Sequence, residues 1–117
     1  MLSFSGALKV YLATDPCDMR KSFNGLTVAV REQLQSDPLS GAAFLFTNKR
    51  RNLLKILYWD GSGLWVLSKR LEKGTFSWPK SNSSKNGKIK LEPTALAMLT
   101  DGIDLRDGCK RAWYEKA

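Results

Sequence analysis

Between Ala43 and Ser68 the chain has few ways to fold. Three apolar runs, Ala43–Thr47, Leu53–Trp59 and Leu64–Ser68, are separated by Asn48-Lys49-Arg50-Arg51-Asn52 and by Asp60-Gly61-Ser62-Gly63. Neither connection has room for a crossover helix, so successive strands must run antiparallel. The second connection supplies glycine where a tight hairpin needs positive φ. Upstream, Leu8–Ala13 alternates like a strand until Asp15-Pro16 breaks it. Ser22 stands where an N-cap belongs, and Phe23, Leu26, Val30 and Leu34 then recur at helical spacing. The spacing predicts a helix over 23–36, ended by Asp37-Pro38 and Gly41.

Downstream, Phe76-Ser77-Trp78 reads as a short fourth strand of the meander, closed by Pro79. Residues 80–88 are poor in apolar side chains and rich in turn formers, which predicts a loop. Ile89 and Leu91 mark one more short strand, and 94–101 a short helix stopped by Gly102. The expected fold is α+β: an antiparallel sheet, a meander of about four to five strands, with one main helix packed on it and a short C-terminal helix. One domain is expected over 1–105, with a polar tail over 106–117 anchored through Trp113 and Tyr114.

Composition narrows the function. The chain has 117 residues, no histidine and two cysteines, Cys17 and Cys109. Without histidine there is no imidazole base, no Ser-His or Cys-His nucleophile pair and no histidine metal ligand. Two cysteines alone make no ordinary zinc site, and a reduced pair in a cytoplasmic protein is the expected state. Asp101, Asp104 and Asp107 recur every three residues, but Gly102 is expected to break the helix between them, which spoils a shared metal-binding face. No metal, no cofactor and no catalytic residue is expected. No apolar run reaches the roughly 20 residues that span a bilayer.

The net charge of +8 is concentrated. Lys49 to Lys90 holds eleven basic residues against Asp60 and Glu72, so the rest of the chain is close to neutral. A basic segment interleaved with aromatics on a neutral body is the footprint of a polyanion binder, most often of nucleic acid.

Within it, Lys49, Arg50 and Arg51 occupy a hairpin turn whose side chains project together, either as a two-stranded ribbon entering the DNA major groove or as a tip reaching phosphates; the alternative is a solvated turn that discourages edge-to-edge aggregation. Lys69, Arg70 and Lys73 flank an inward Leu71, either as phosphate contacts or as plain polar surface. Lys55 lies on the strand between the two groups. Outside the stretch, Arg20 and Lys21 stand at a predicted helix start, where free N–H groups add to their charge; alternatively, Asp18 pairs with Arg20 or caps the helix. Trp59 reads as core. Trp65 and Trp78 can stack bases if exposed, or pack.

Three motifs resemble one family. They are Asp15-Pro16-Cys17-Asp18-Met19-Arg20-Lys21-Ser22-Phe23-Asn24-Gly25-Leu26; the run Phe44–Arg50 continued through Leu57–Gly61 into Lys69–Pro79; and Leu99-Thr100-Asp101-Gly102-Ile103-Asp104. Their order over residues 7–105 resembles the TnpB accessory protein, the second open reading frame, of the insertion-sequence 66 family of bacterial transposable elements. After Arg106 the sequence departs from that pattern. The resemblance implies a role in transposition beside a separate, larger transposase that carries the catalytic acids.

The sequence therefore predicts a non-enzymatic accessory factor, cytoplasmic and nucleoid-associated, that binds DNA with weak sequence preference. Six to eight phosphate contacts would give a salt slope of roughly −5 to −7. The alternative is a protein-interaction module that docks onto the transposase or a second accessory protein. Open sheet edges also leave room for a homodimer.

Overall fold

The computed structural model describes residues 8–79 and 87–101. Its elements are β1 (Val10–Ala13), α1 (Phe23–Glu32), β2 (Ala43–Thr47), β3 (Leu53–Trp59), β4 (Leu64–Arg70), β5 (Lys88–Leu91) and α2 (Pro93–Thr100). The five strands form one sheet in the order β4-β3-β2-β1-β5. The β2-β3-β4 meander is antiparallel as expected, and β5 pairs antiparallel with β1. β1 and β2 pair in parallel, Val10 opposite Ala43 and Leu12 opposite Leu45. The physical reason is α1: a crossover helix between two neighbouring strands returns the chain to its starting end.

β2 is the centre of the sheet, and all five of its residues are buried. A strand covered on both faces reads as a continuous apolar run, as Ala43-Phe44-Leu45-Phe46 does. Phe44, Phe46, Leu57 and Ala13 face α1 and pack with Leu26, Ala29, Val30 and Leu34. Val10, Leu12, Ala43, Leu45, Leu54 and Ile56 face the other way and pack with Leu96 and Leu99 of α2 and with Phe76 and Trp78. The molecule thus has three layers.

Five details differ from expectation. Phe76-Ser77-Trp78 is no strand; it crosses the α2 face as irregular chain, dropping both rings into the core while the Trp78 indole N–H donates to the Ala13 carbonyl at 2.7 Å. The α1 stripe starts at Leu26, and Phe23 stands 48% exposed. Ser22 occupies the N-cap position without a side-chain capping bond. The helix ends at Glu32, not 36, because Gln35 turns left-handed at φ 51° and the Ser36 N–H closes on the Val30 carbonyl at 3.0 Å. α2 begins one residue early with Pro93, whose fixed φ and missing N–H suit the first helical position.

Cys17 is a free thiol, and burial pushes its pKa up. Cys109, Gly102, the Trp113–Tyr114 anchor and most of the 80–88 loop lie outside the described residues. Among the described residues no helix is long and apolar enough to cross a membrane.

Candidate nucleic-acid interface

The topology brings distant basic segments to one end of the sheet. β1 and β2 run in parallel, so Ala13 and Thr47 finish at the same end. β3 starts there, and β4 finishes there with Arg70 opposite Leu53. Three connections meet at this end. The loop after β1 is tied to β2 by the Cys17 N–H on the Thr47 carbonyl, 2.8 Å. The loop after β4 is tied to the β2–β3 turn by the Leu71 N–H on the Asn52 carbonyl, 2.9 Å, and the Phe76 N–H on the Arg51 carbonyl, 2.7 Å. Arg20 and Lys21, then Lys49, Arg50 and Arg51, then Lys69, Arg70 and Lys73 therefore gather together. The acids of the same segments are Asp15, Asp18 and Glu72.

These cations are not equivalent. Arg20, Lys49, Arg50, Arg51, Lys69, Arg70 and Lys73 are all exposed, but only Arg20 takes part in the ion pair formed at this end. That pair is Arg20–Asp18. The guanidinium grips both carboxylate oxygens, with its nearest contact at 2.8 Å, and the Arg20 backbone N–H adds a bond at 2.9 Å. These hydrogen bonds hold the Asp18 carboxyl down at about 2, so the pairing persists above the ordinary carboxylate range and is lost as pH falls through about 2. The alternative reading of Arg20, pairing with Asp18, is the one realised.

Lys55 is half-buried, and its ammonium donates to the Lys21 carbonyl at 2.7 Å, fastening the start of α1 to β3. Lys69 donates to the Thr100 carbonyl at 2.7 Å. Neighbouring residues of a strand point to opposite faces. Arg70 accordingly shares Leu53's face, on the α1 side, and Lys69 shares Leu54's, on the α2 side. Lys88 and Lys90 sit on β5, at the far edge of the sheet, and Lys88 lies 4.9 Å from the Tyr11 ring centroid. The basic stretch of the sequence is thus divided, and the sheet end recruits Arg20 and Lys21 in its place.

Two supporting features escaped the sequence reading. Asn48 and Asn52 bracket the basic turn. The Asn48 side-chain oxygen accepts the Asn52 and Leu53 N–H groups at 3.1 and 3.2 Å, and its amide donates to the Asn52 side chain at 2.7 Å. The Asn-x-x-x-Asn spacing was the available signal. Gly25 is the second: a Cβ there would meet the Lys21 Cβ at 2.9 Å, so its bareness lets the Lys21 stem lie against the helix.

Trp65 and Trp78, the two candidate stacking rings, add no exposed face to this end. Trp78 is buried. Trp65 is 45% exposed, but it lies five residues along β4 from Arg70, about 17 Å away. There its indole donates to Asp60 at 2.8 Å. The Asp60 carboxylate also takes the Ser62 and Gly63 N–H groups, which with Trp65 hold its pKa well below the usual range. Gly61, at φ 101°, completes this hairpin turn. Among the described residues no three acids or cysteines converge on a metal position.

The family model described as IS66 Orf2-like protein matches residues 8–110. The chain belongs to that family. Membership makes it a transposition-associated accessory protein. It is similar to two uncharacterized proteins of Sinorhizobium fredii. It is 39% identical to y4hO over 106 residues, covering 91% of this chain and 90% of that protein. It is 38% identical to y4jC over 104 residues, covering 89% and 86%. No solved structure matches the chain.

Arg51 is held at φ 58°, a left-handed conformation that costs a residue with a Cβ about 1 kcal/mol and that glycine takes freely. The backbone there favours glycine, so arginine is not a backbone-driven choice. Arg51→Gly is therefore expected to raise stability by about 1 kcal/mol in urea unfolding. The same variant should weaken polyanion binding, so the two effects run in opposite directions.

Proposed function

We propose that this accessory protein is non-enzymatic and acts by binding DNA phosphates through the basic end of its sheet, positioning element ends or target DNA for the transposase of the same element. The observation that carries this reading is the convergence of three connections, far apart in sequence, on one end that exposes Lys49, Arg50, Arg51, Arg70 and Lys73. Like charges held together repel at a cost that a polyanion relieves. Guanidinium forks suit phosphate oxygens, which carry no base identity, so binding with weak sequence preference follows.

With Arg20 left to Asp18 and Lys69 to the Thr100 carbonyl, five exposed cations of this end remain for phosphate. Five contacts, each displacing about 0.9 counterion, give a slope of log K against log salt near −4.5. Titrating labelled duplex DNA at several salt concentrations tests this; a slope near zero rejects phosphate binding.

A second reading has its own support. Phe23 and Val28 on α1 are 48% and 46% exposed, two separate apolar side chains that docking onto the transposase or a second accessory protein would cover. The two readings separate cleanly, because the basic end and these two side chains can be altered independently.

A further inference from the structure

We infer that the free edge of β4 is a self-pairing surface for a second copy of this chain, giving an antiparallel two-fold dimer centred on Leu67. β4 is an outer strand of the sheet, seven residues long and without proline or glycine. The other outer strand, β5, has four residues, two of them lysine. Short, charged edges resist pairing, whereas a long edge invites it.

The backbone geometry fixes which groups β4 offers. The Asp60 N–H donates to the Gly63 carbonyl and the Leu71 N–H to the Asn52 carbonyl, so residues 63 and 71 are turned toward β3. An antiparallel ladder alternates along the strand. Residues 65, 67 and 69 are therefore also turned toward β3, and Leu64, Val66, Ser68 and Arg70 point their N–H and C=O groups outward. Among the described residues none pairs with that side of β4.

These four positions are self-complementary. With the two-fold at Leu67, Leu64 meets Arg70 of the second copy and Val66 meets Ser68, each as a hydrogen-bonded pair. Trp65 then lies directly opposite Lys69 of the second copy in a closely spaced pair, and both occupy the α2-side face. A lysine beside an exposed indole is a favourable cation–π partner. No cation of one copy faces a cation of the other across the junction. The apolar half of the strand, residues 64–66, covers the basic half, 68–70.

A second copy is thus the occupant that fits both the register and the charge. The two-fold reverses strand direction, so the two basic ends finish at opposite ends of one ten-stranded sheet. A dimer of this kind presents phosphate-binding ends to two separate duplex segments, a consequence that rests on the DNA reading above; the pairing itself does not.

The test is analytical ultracentrifugation of the full chain without nucleic acid, so its outcome is independent of DNA binding. The wild type should sediment at twice 13.1 kDa. Ser68→Pro deletes an outward N–H while leaving the bonds to β3 intact, and Trp65→Lys places a lysine opposite Lys69 of the second copy. Both should sediment as monomers with unchanged far-UV circular dichroism. Adding Lys69→Glu to Trp65→Lys restores an opposite-charge pair and should restore the dimer. A wild type that stays monomeric as concentration rises overturns the proposal, as does a dimer that survives both single changes. Failure of the double variant to re-associate overturns the Leu67-centred register. Monomers throughout would mean that Lys69 and Arg70 serve to keep the edge from pairing.

Discussion

Neutralising Lys49, Arg50 and Arg51 together, each to Gln, should lower affinity for duplex DNA about a thousandfold at 0.1 M salt. With a slope of about 0.9 per phosphate contact, each contact contributes close to one log unit between 0.1 M and 1 M salt. Three of the five exposed cations not engaged by Asp18 or the Thr100 carbonyl would be lost, and the salt slope should flatten from about −4.5 to about −1.8. Fold stability should change little, because all three side chains are exposed and none holds an ion pair among the described residues. The turn keeps its Asn48–Asn52 bracket. Gel shift across salt concentrations checks the affinity, and a pull-down against the transposase checks the competing reading. Loss of DNA with transposase binding retained supports the phosphate-binding function. Loss of the transposase with DNA retained supports docking.

Phe76→Ala should be the most damaging single truncation in the loop after β4, at about 3–5 kcal/mol. Phe76 is 1% exposed and packs among core residues from both β1 and α2. Its N–H also bonds the Arg51 carbonyl, so the ring that fills the core sits on the residue that fastens the basic turn. A typical domain has only about 5–15 kcal/mol in total, so the variant loses a large share of it. Urea unfolding followed by tryptophan fluorescence measures the loss. A change under 1 kcal/mol would mean that the 71–79 segment does not belong to the core.

The meander was the most legible part of the sequence. β2 and β3 fall on the expected residues because continuous apolar runs end abruptly at Asn48, Asn52 and Asp60, side chains that bond turn backbone more readily than they pack. β4 runs two residues past Ser68 because Lys69 and Arg70 keep pairing with β3 while their charged tips reach outward. Phe76 and Trp78 misled because an apolar-polar-apolar triplet looks the same whether a strand alternates or a loop drops two rings into a core. The split between Lys69 and Arg70 was implicit in strand alternation. The convergence of Arg20 and Lys21 with the turn at 48–52 was not, since it depends on β1 lying parallel to β2, a partnership made by tertiary packing rather than by local pattern.

That parallel partnership also sets an order of assembly. The β2-β3-β4 hairpins join residues close along the chain and can zip early, whereas β1 reaches β2 only after the intervening stretch, helix included, has been looped back. Lys49, Arg50, Arg51 and Arg70 are thus brought together by local hairpins, whereas the Arg20–Lys21 corner joins through the longer β1–β2 closure, and β5, which pairs with β1, through a longer one still. Molecules in which only the β2-β3-β4 hairpins have formed would already gather most of the exposed charge of this end.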